Sequence, residues 1–487
     1  MRAMRYGRSV VSFVVFSSLS LSFLLSGVAR AQDQPPPEGA PPAAEPPASA
    51  PVEERMPVAP PPTPAPSPFG LTVGEFKGWK LSIEGRLNTF FSLGWGNQQR
   101  ATDPNDGGAL GEGGGLGLNQ NQTNSSGNFV TPRIRNGFVA NVLTFKLSRK
   151  IGEDTTLSAN LSLWSDVETN LSVYLFPATY MQEGYLAIEG PWGSVTAGRQ
   201  LALFSRGAVE IDYNYAHAYG MGWPCNFNFI FATCGQIGFG VLFPFYRAGV
   251  LYATPNLDGL TLSAGMYDPV ILAGKWERIV TPTFEAEATY AKELNGKGMF
   301  KLFVNGLFQR LGGTSNLAEP VAGQPPPPPD TRTIANKTVD QMGVGGGARF
   351  EYGPLRLGAA GHYGKGLGFY YAQENSQASY YFAQTDTDPH DGDLRTFRGL
   401  YGQLMVVLGR VDLAAGAGVS QVLPLPYEDA NTTHLAKQNF GINGAIYFHI
   451  HNNLVWGIDY FRAQFSWYGS KYTQTINSLN TGLTMMF

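Results

Sequence analysis

Two cysteines are the side chains of this sequence best suited to covalent chemistry. Cys225 and Cys234 are the only thiols in the 487-residue chain. In an oxidising compartment they would form a disulfide, which would close a small loop and stabilise it by roughly 2–3 kcal/mol. Free thiols and a metal site are the alternatives, but two cysteines with no histidine between them are too few ligands for a zinc site. The compartment therefore decides between a disulfide and free thiols.

Motifs typical of catalysis and of cofactor binding are missing from the sequence. It contains no H-E-x-x-H, no G-x-S-x-G and no P-loop, and its six histidines are scattered. Asp386, Asp388, Asp391 and Asp393 could attract calcium, but the EF-hand spacing and its closing glutamate are missing. A solvated loop is the simpler interpretation of this acidic run. We therefore predict no catalytic residues, no metal and no cofactor.

The N-terminus has the three parts of a secretory signal. Arg2, Arg5 and Arg8 form a basic end, residues 10–25 are mostly apolar, and Ala29-Arg30-Ala31 is a small-x-small cleavage site. We expect a cleaved signal peptide at residues 1–31. An uncleaved anchor is the alternative, but the apolar stretch is short for a membrane span and contains several serines. Export makes a disulfide the first interpretation of Cys225 and Cys234.

The composition is that of a sheet with one face in lipid. The chain has 60 glycines, 23 tyrosines and 31 phenylalanines, and only 15% of its residues are charged, against about a quarter in soluble domains. Beyond the signal, no segment approaches the ~20 apolar residues of a transmembrane helix. A membrane location would therefore require a closed barrel, which satisfies every backbone polar group in lipid. The formal net charge of -3 gives no reason to expect a nucleic-acid partner.

Apolar and polar residues alternate from about Trp79 onward. Leu81, Ile83 and Leu87 alternate with polar neighbours, and the pattern recurs at residues 157–163, 283–290, 300–309 and 440–450. Many runs reach ~10 residues or more, longer than the usual 5–6 of globular strands. Short turns alternate with long polar loops, which is typical of outer-membrane barrels. We predict an all-β, transmembrane antiparallel β-barrel of about 16 strands over residues 75–487.

The two ends of the mature chain support this prediction. Residues 32–74 are rich in proline and alanine, so we expect a disordered periplasmic linker. A tether that contacts the cell wall or a partner is the alternative to a simple spacer. At the other end, Leu479, Leu483, Met485 and Phe487 share one face of a final strand. A terminal Phe in phase with such a strand resembles the assembly signal of outer-membrane barrels.

Several segments resemble the general trimeric porins of Gram-negative outer membranes. They are Ile83–Leu87, Arg135–Phe138, Glu183–Ile188, Trp192–Gln200, Arg247 and Tyr252–Leu260. The closest similarity is the tyrosine-bearing strand, its turn and the Gly-Arg-Gln strand end at Gln200. These segments lie almost entirely in the first half of the mature chain.

The resemblance implies a pore constriction. In the family, the loop after the Gly-Arg-Gln strand folds into the barrel, and here it would be residues 201–243. The implied basic wall is Arg86, Arg135, Arg199 and Arg247, and the implied loop acids are Glu210 and Asp212. Opposed charges across a narrow aqueous neck create a transverse field that favours dipolar and charged solutes. Arg199 shares its face with Val195 and Ala197, so a lumen position would need small apolar neighbours or a bulge near Gly198.

These observations predict an outer-membrane porin that passes ions and small hydrophilic solutes by diffusion, as a homotrimer by resemblance. Three alternatives stay open. One is a substrate-selective channel for sugars or phosphate, which further lumen arginines such as Arg349 and Arg356 would favour. Another is a structural or adhesive barrel tethered to the cell wall. The last is a barrel hydrolase, for which no set of catalytic side chains can be assembled.

Overall fold

Almost all of the described chain is β-strand. The computed structural model describes residues 71–97, 128–165, 167, 179–215, 220–223, 234–270, 276, 278–313, 337–371, 390, 392–428, 436–469 and 473–487. The signal peptide, most of the predicted linker and Cys225 lie outside these residues. The strands are β1 Leu71–Phe76, β2 Trp79–Asn97, β3 Asn128–Arg135, β4 Asn141–Ile151, β5 Thr155–Ser165, β6 Thr179–Gly190, β7 Gly193–Leu201, β8 Tyr246–Ala253, β9 Leu260–Tyr267, β10 Arg278–Ile279, β11 Thr283–Leu294, β12 Gly298–Gly312, β13 Thr338–Tyr352, β14 Leu355–Lys365, β15 Thr396–Leu408, β16 Val411–Leu423, β17 Ala436–His451, β18 Leu454–Trp467 and β19 Thr473–Met486.

These strands form a closed barrel of sixteen antiparallel staves. Three staves are each made of two strands: β3 and β4 along one edge of β2, β1 and β19 along its other edge, and β10 and β11 along β12. The nineteen strands therefore make sixteen staves. β19 pairs with β2, for example Leu483 with Thr89, and this pairing closes the barrel. The prediction of about 16 strands is confirmed. Apart from the strands, the described residues hold one short helix, α1 Arg206–Glu210, and a 3-10 turn at Gly368–Tyr371.

The barrel is apolar outside and polar inside. On β12, Leu302, Val304 and Phe308 are exposed, while Asn305 and Gln309 are buried. This is the reverse of a soluble sheet, in which the polar face is the exposed one. It is the arrangement that a strand needs between lipid and an aqueous lumen. None of the helices in the described part of the chain has the length and apolar character of a membrane span.

Tight turns join the staves at one rim. Asn295 and Gly296 connect β11 to β12, both with positive φ (49° and 66°), the backbone that a two-residue hairpin turn requires. Lys77 and Gly78 join β1 to β2 in the same way, with φ of 50° and 79°. We call this the turn rim and the opposite one the loop rim; in outer-membrane barrels they are periplasmic and extracellular.

The predicted linker is too long at its C-terminal end. β1 begins at Leu71, inside the segment expected to be disordered, and pairs with the turn-rim part of β2, Leu71 opposite Ile83. All six residues of β1 are exposed. The sequence pattern hid this strand because Gly74 interrupts the alternation, and the pairing shifts register between Thr72 and Gly74.

Candidate pore constriction

The described residues of the segment between β7 and β8 lie inside the barrel. They are residues 202–215, 220–223 and 234–245. Leu203, Ile211, Tyr215 and Phe239 have no exposed surface, although the segment joins two strands and contains little regular structure. A connection this deeply buried must pair its backbone polar groups with the inner wall of the barrel. The described part of the predicted inward loop therefore lies in the barrel, and we call residues 202–215, 220–223 and 234–245 the inner loop.

The start of the inner loop is bound to β11 by two buried glutamates. Glu285 accepts the backbone N–H of Phe204 at 2.7 Å and pairs with Arg247 of β8. Glu287 pairs with Arg206 of α1 and also accepts from Asn305 Nδ2 at 3.2 Å. The carboxylates are completely buried, and buried ion pairs are strongly destabilised when one partner is removed. These contacts fix where the loop leaves the wall.

The middle of the loop is bound to β15 through neutral side chains. Gln403 Oε1 accepts the backbone N–H of Tyr213 at 2.8 Å, and Gln403 Nε2 donates to Ile211 O. Asn214 Nδ2 donates to Tyr401 Oη at 3.2 Å and to Asn443 Oδ1 of β17 at 3.0 Å. Gln403 therefore replaces the water that the loop backbone would otherwise bind, and Tyr401 and Asn443 do the same for the side chain of Asn214.

The end of the loop reaches β18 on the far part of the sheet. Asp459 accepts the backbone N–H groups of Met221 at 2.9 Å and Gly222 at 3.1 Å. Nearby, Trp223 and Phe239 pack on Phe461 and Phe465 with ring centroids 5.0–6.1 Å apart. The loop therefore crosses the lumen and narrows it.

The structure places three of the four predicted wall arginines on the inner face. Arg86 shares the inward face of β2 with buried Asn88, and Arg135 is 3% exposed at the end of β3. Arg247 is also inward, but Glu285 and the hydroxyl of Thr283 (3.0 Å) engage its guanidinium. Its charge is therefore matched by β11, which is separated from β8 by β9, and does not face the loop.

Arg199 lies on the outer surface, which corrects the expectation from sequence. It is exposed on the same face of β7 as Ala197, and its Nε donates to Gln182 O at 3.1 Å. Gly198 has a φ of +133°, but side chains still alternate between the inner and outer faces after it, as the burial of Gln200 shows. Arg199 therefore points outward like Val195 and Ala197, because every second residue of a strand lies on the same face.

The two loop acids do not face the predicted arginine wall. Glu210 at the end of α1 pairs with Lys301 of β12 and lies 3.5 Å from Arg206 Nε. Asp212 is 3% exposed and accepts hydrogen bonds from Asn214 N at 2.8 Å and Tyr215 N at 3.2 Å. The loop acids therefore lie toward β12–β15, on the other side of the barrel from Arg86 and Arg135.

A mixed cluster of charges lies under α1, and the sequence pointed to two of its members, Arg349 and Arg356, only as possible lumen arginines. It contains Lys301, Arg349, Glu351 and Arg356 on the inward faces of β12, β13 and β14. Glu351 pairs with both arginines, Arg349 donates to Glu210 O at 3.1 Å, and its guanidinium lies 4.3 Å from the ring centre of Tyr213. We call these four residues the turn-side cluster, because they lie near the turn rim.

The turn-side cluster contacts the water of the lumen. The side chains of Lys301 and Arg356 are 23% and 28% exposed, and those of Arg349 and Glu351 are each 16% exposed. By contrast, the ion pairs at Glu285 and Glu287 are fully covered. Charges that line a passage must be wetted, so this cluster is a better candidate for solute contact than Arg247.

The pH dependence of the loop is expected to come from Asp212. Burial raises the pKa of its carboxyl to about 7, and hydrogen bonds from Asn214, Tyr215 and Tyr401 offset only part of that effect. Because the pKa of Asp212 is higher in the folded loop than in the unfolded chain, its neutral carboxyl stabilises the folded loop. That stabilisation is complete below about pH 4 and is lost as the pH rises through about 7. We expect amide-exchange protection of residues 202–215, corrected for intrinsic rates, to fall about tenfold between pH 6 and pH 8. Asp212→Asn should abolish the fall, and an equal fall in that variant would contradict the assignment.

Of the two cysteines, only Cys234 lies in the described part of the chain. Cys234 is buried and disulfide-bonded. Cys225 lies outside the described residues, so the pairing Cys225–Cys234 stays a prediction. Among the described residues, no group of three or more His, Cys, Asp or Glu side chains could hold a metal ion.

Comparison with known proteins identifies the family. Residues 20–386, more than half of the chain, match the family described as Gram-negative porin. The chain belongs to the Gram-negative porins. As a porin it lies in the outer membrane and forms a water-filled channel for passive diffusion of ions and small hydrophilic solutes. No curated protein sequence matches the chain significantly.

Solved structures agree with the fold of this porin. The outer membrane channel DcaP of Acinetobacter baumannii matches with a TM-score of 0.59 at 12% identity, over 86% of this chain and 100% of that one. An anion-selective porin from Comamonas acidovorans matches with a TM-score of 0.51 at 10% identity, over 84% of this chain and 100% of that one. At these identities the similarity shows the barrel fold.

Proposed function

We propose that this porin selects solutes at the turn-side cluster, in the passage that the inner loop narrows. The observation that carries the proposal is the wetted row of Lys301, Arg349 and Arg356 beside the buried loop. The three cations are accompanied by two carboxylates, Glu210 and Glu351, which leaves one net positive charge. Mixed charge of this kind aligns dipolar solutes and favours anions weakly.

Ion selectivity tests this proposal. In Lys301→Gln/Arg349→Gln/Arg356→Gln, Glu351 loses both of its cations and Glu210 keeps only Arg206. We therefore expect the cation-to-anion permeability ratio to rise several-fold, on the order of threefold or more. The measurement is the reversal potential of single channels in planar bilayers under a KCl gradient. A matched control is Arg149→Gln/Lys292→Gln/Lys297→Gln, which removes three exposed cations at the turn rim. An unchanged reversal potential in the first variant would contradict the proposal.

A substrate-selective channel for phosphate or sugars is the second candidate. It is favoured by the inward positions of Arg349 and Arg356 and by the stacking of Arg349 on Tyr213. Against it, Glu351 forms ion pairs with both Arg349 and Arg356, which leaves little unneutralised positive charge to bind one ligand tightly. Concentration-dependent block of chloride current by phosphate, lost in Arg356→Gln, would favour this candidate over general diffusion.

Three further features belong to the proposal. We propose a homotrimer, on the resemblance to the trimeric porins, which chemical cross-linking of the folded protein would test. We propose the Cys225–Cys234 disulfide as a brace of the inner loop, which mass spectrometry with and without a reductant would test. Contact of the proline-rich linker with the cell wall stays a proposal, and co-sedimentation with peptidoglycan would test it. Passage needs no cofactor and no covalent step.

A further inference from the structure

A second segment enters the barrel from the loop rim, between β14 and β15. Gly366 follows the last residue of β14, and its φ of +72° turns the chain away from the direction of the strand. Leu367 and Tyr370 after it have no exposed surface, and they pack in one cluster with Phe397 on the inward face of β15. The described start of this loop therefore lies in the lumen, and we call residues 366–371 the second inward segment.

Tyr370 contacts both ends of the inner loop. Its ring meets the rings of Phe204 and Phe245 edge to face, with ring centroids 5.4 and 5.0 Å apart. Its backbone carbonyl accepts the N–H of Phe243 at 2.8 Å. Phe204 lies just after β7 and Phe245 just before β8, so we call these three phenylalanines the root of the inner loop. One tyrosine therefore bridges the points at which the loop leaves and rejoins the wall.

The wall beneath the root lacks side chains. Gly343 of β13 pairs with Gly364 of β14. A Cβ atom on Gly343 would lie 2.6 Å from the ring of Phe204 and 3.3 Å from Leu367. A Cβ atom on Gly364 would lie 2.7 Å from Leu367. Phe204 and Leu367 therefore lie side by side on bare backbone, which leaves room for the root and the second inward segment together.

The second inward segment is itself held from two sides. Gln341 of β13 donates from Nε2 to Gly366 O at 2.7 Å, and this hydrogen bond is buried. Gly366 N donates to Arg395 O at 3.0 Å. The guanidinium of Arg395 pairs with Glu428 through Nε at 3.1 Å, and the Glu428 side chain is only 1% exposed. Because Glu428 lies in the loop between β16 and β17, this pair joins the segment to a neighbouring loop of the rim.

We propose that the second inward segment clamps the root of the inner loop, with Tyr370 as the positioning residue, and that this clamp links the constriction to the loops of the outer rim. The wall holds the inner loop along β11, β15 and β18, and the second inward segment covers its root from the loop rim. The root can therefore leave the wall only if Tyr370 moves. This role goes beyond the selection of solutes at the turn-side cluster, because it concerns the width of the passage and not its charge.

The test compares Tyr370→Ala with Tyr370→Phe in the purified full-length protein. Truncation of a large buried aromatic side chain leaves a cavity between the two ends of the loop. In Tyr370→Ala we expect amide-exchange protection of residues 202–215 and 234–245 to fall on the order of 100-fold, and open-channel current noise to rise on the order of twofold. Tyr370→Phe keeps the ring and should behave like the wild type. The matched control is Tyr363→Ala, which removes an exposed tyrosine from the outward face of β14.

Two milder variants decide the question if Tyr370→Ala does not fold, which heat-modifiable migration in gels would show. Gln341→Ala removes the wall donor to the start of the second inward segment. Glu428→Gln removes the carboxylate that pairs with Arg395. Each should lower the protection of residues 234–245 on the order of tenfold.

Three results would overturn parts or all of this inference. Wild-type protection of the inner loop in Gln341→Ala, or in a folded Tyr370→Ala, would exclude the clamp. An equal loss of protection in Tyr370→Ala and Tyr363→Ala would exclude it too, because the effect would not depend on contact with the root. Wild-type protection in Glu428→Gln would exclude the link to the outer rim. Selectivity is read separately from the reversal potential, so failure of the turn-side cluster as the selective site would leave these outcomes unchanged.

Discussion

Glu285→Gln/Glu287→Gln is expected to widen the channel and make its current noisier. The two substitutions leave Arg247 buried without its carboxylate and Arg206 with only Glu210, 3.5 Å from its Nε. Loss of one partner from a buried ion pair typically costs about 3–5 kcal/mol. The change that costs the least free energy is detachment of the first residues of the inner loop from the wall, which moves Arg206 into water. Since the loop narrows the lumen, single-channel conductance should rise, on the order of twofold.

Single-channel recording in planar bilayers measures this effect, and amide exchange of residues 202–215 measures loop release directly. The control is Asp340→Asn, which breaks the exposed pair with Arg310 on the outer face. Exposed pairs contribute about 0–1 kcal/mol, so the control should conduct like the wild type. Unchanged conductance and protection in the double glutamate variant would show that these ion pairs do not hold the loop.

Gly85→Val is expected to reduce the yield of assembled barrel on the order of tenfold or more, because the substitution disrupts a main contact that closes the barrel. Gly85 exchanges two backbone hydrogen bonds with Phe487, at 2.7 and 3.0 Å. A Cβ atom on Gly85 would lie 2.4 Å from the Phe487 ring, so a larger side chain must displace that ring. This contact lies where the last strand, β19, meets β2 and closes the barrel, and every other stave depends on that closure.

Heat-modifiable migration in gels measures the folded fraction for this variant. Gly402→Ala is the matched control, because nothing lies within 4 Å of a Cβ atom placed on Gly402. Normal assembly of Gly85→Val would mean that the Phe487 ring moves freely and that the C-terminal contact does not limit closure.

The alternation of side chains made the barrel predictable, and one stave shows where that signal ends. On β18 both faces are apolar, so the sequence left its orientation open. The structure shows Phe461 and Phe465 inward, buried against Trp223 and Phe239 of the inner loop. The lumen is polar only where water fills it, and aromatic residues face inward where the loop fills it. No pattern within one strand can show where a distant loop will pack.

The constriction was less predictable, because its charges depend on strand register. Lys301 and Arg349 are direct partners across β12 and β13, but 47 residues of the sequence lie between them. Arg247 and Glu285 are both inward by alternation, and only their proximity shows that they neutralise each other. The family resemblance correctly predicted that the inner loop folds into the barrel, but it also predicted an inward Arg199. The alternation of side chains along β7 predicted the outward orientation that the structure shows, so it was the better guide for Arg199.

The most direct test of the central claim is the current through Arg356→Cys while a bulky charged thiol reagent is added. The claim is that solutes pass the turn-side cluster beneath the inner loop. We expect stepwise falls in single-channel current as the introduced thiol is modified, because the attached group enters the passage. Leu357→Cys is the control, since the next residue of β14 points to the outer surface. Full modification of the first variant, shown by mass spectrometry, with no change in current would contradict the claim.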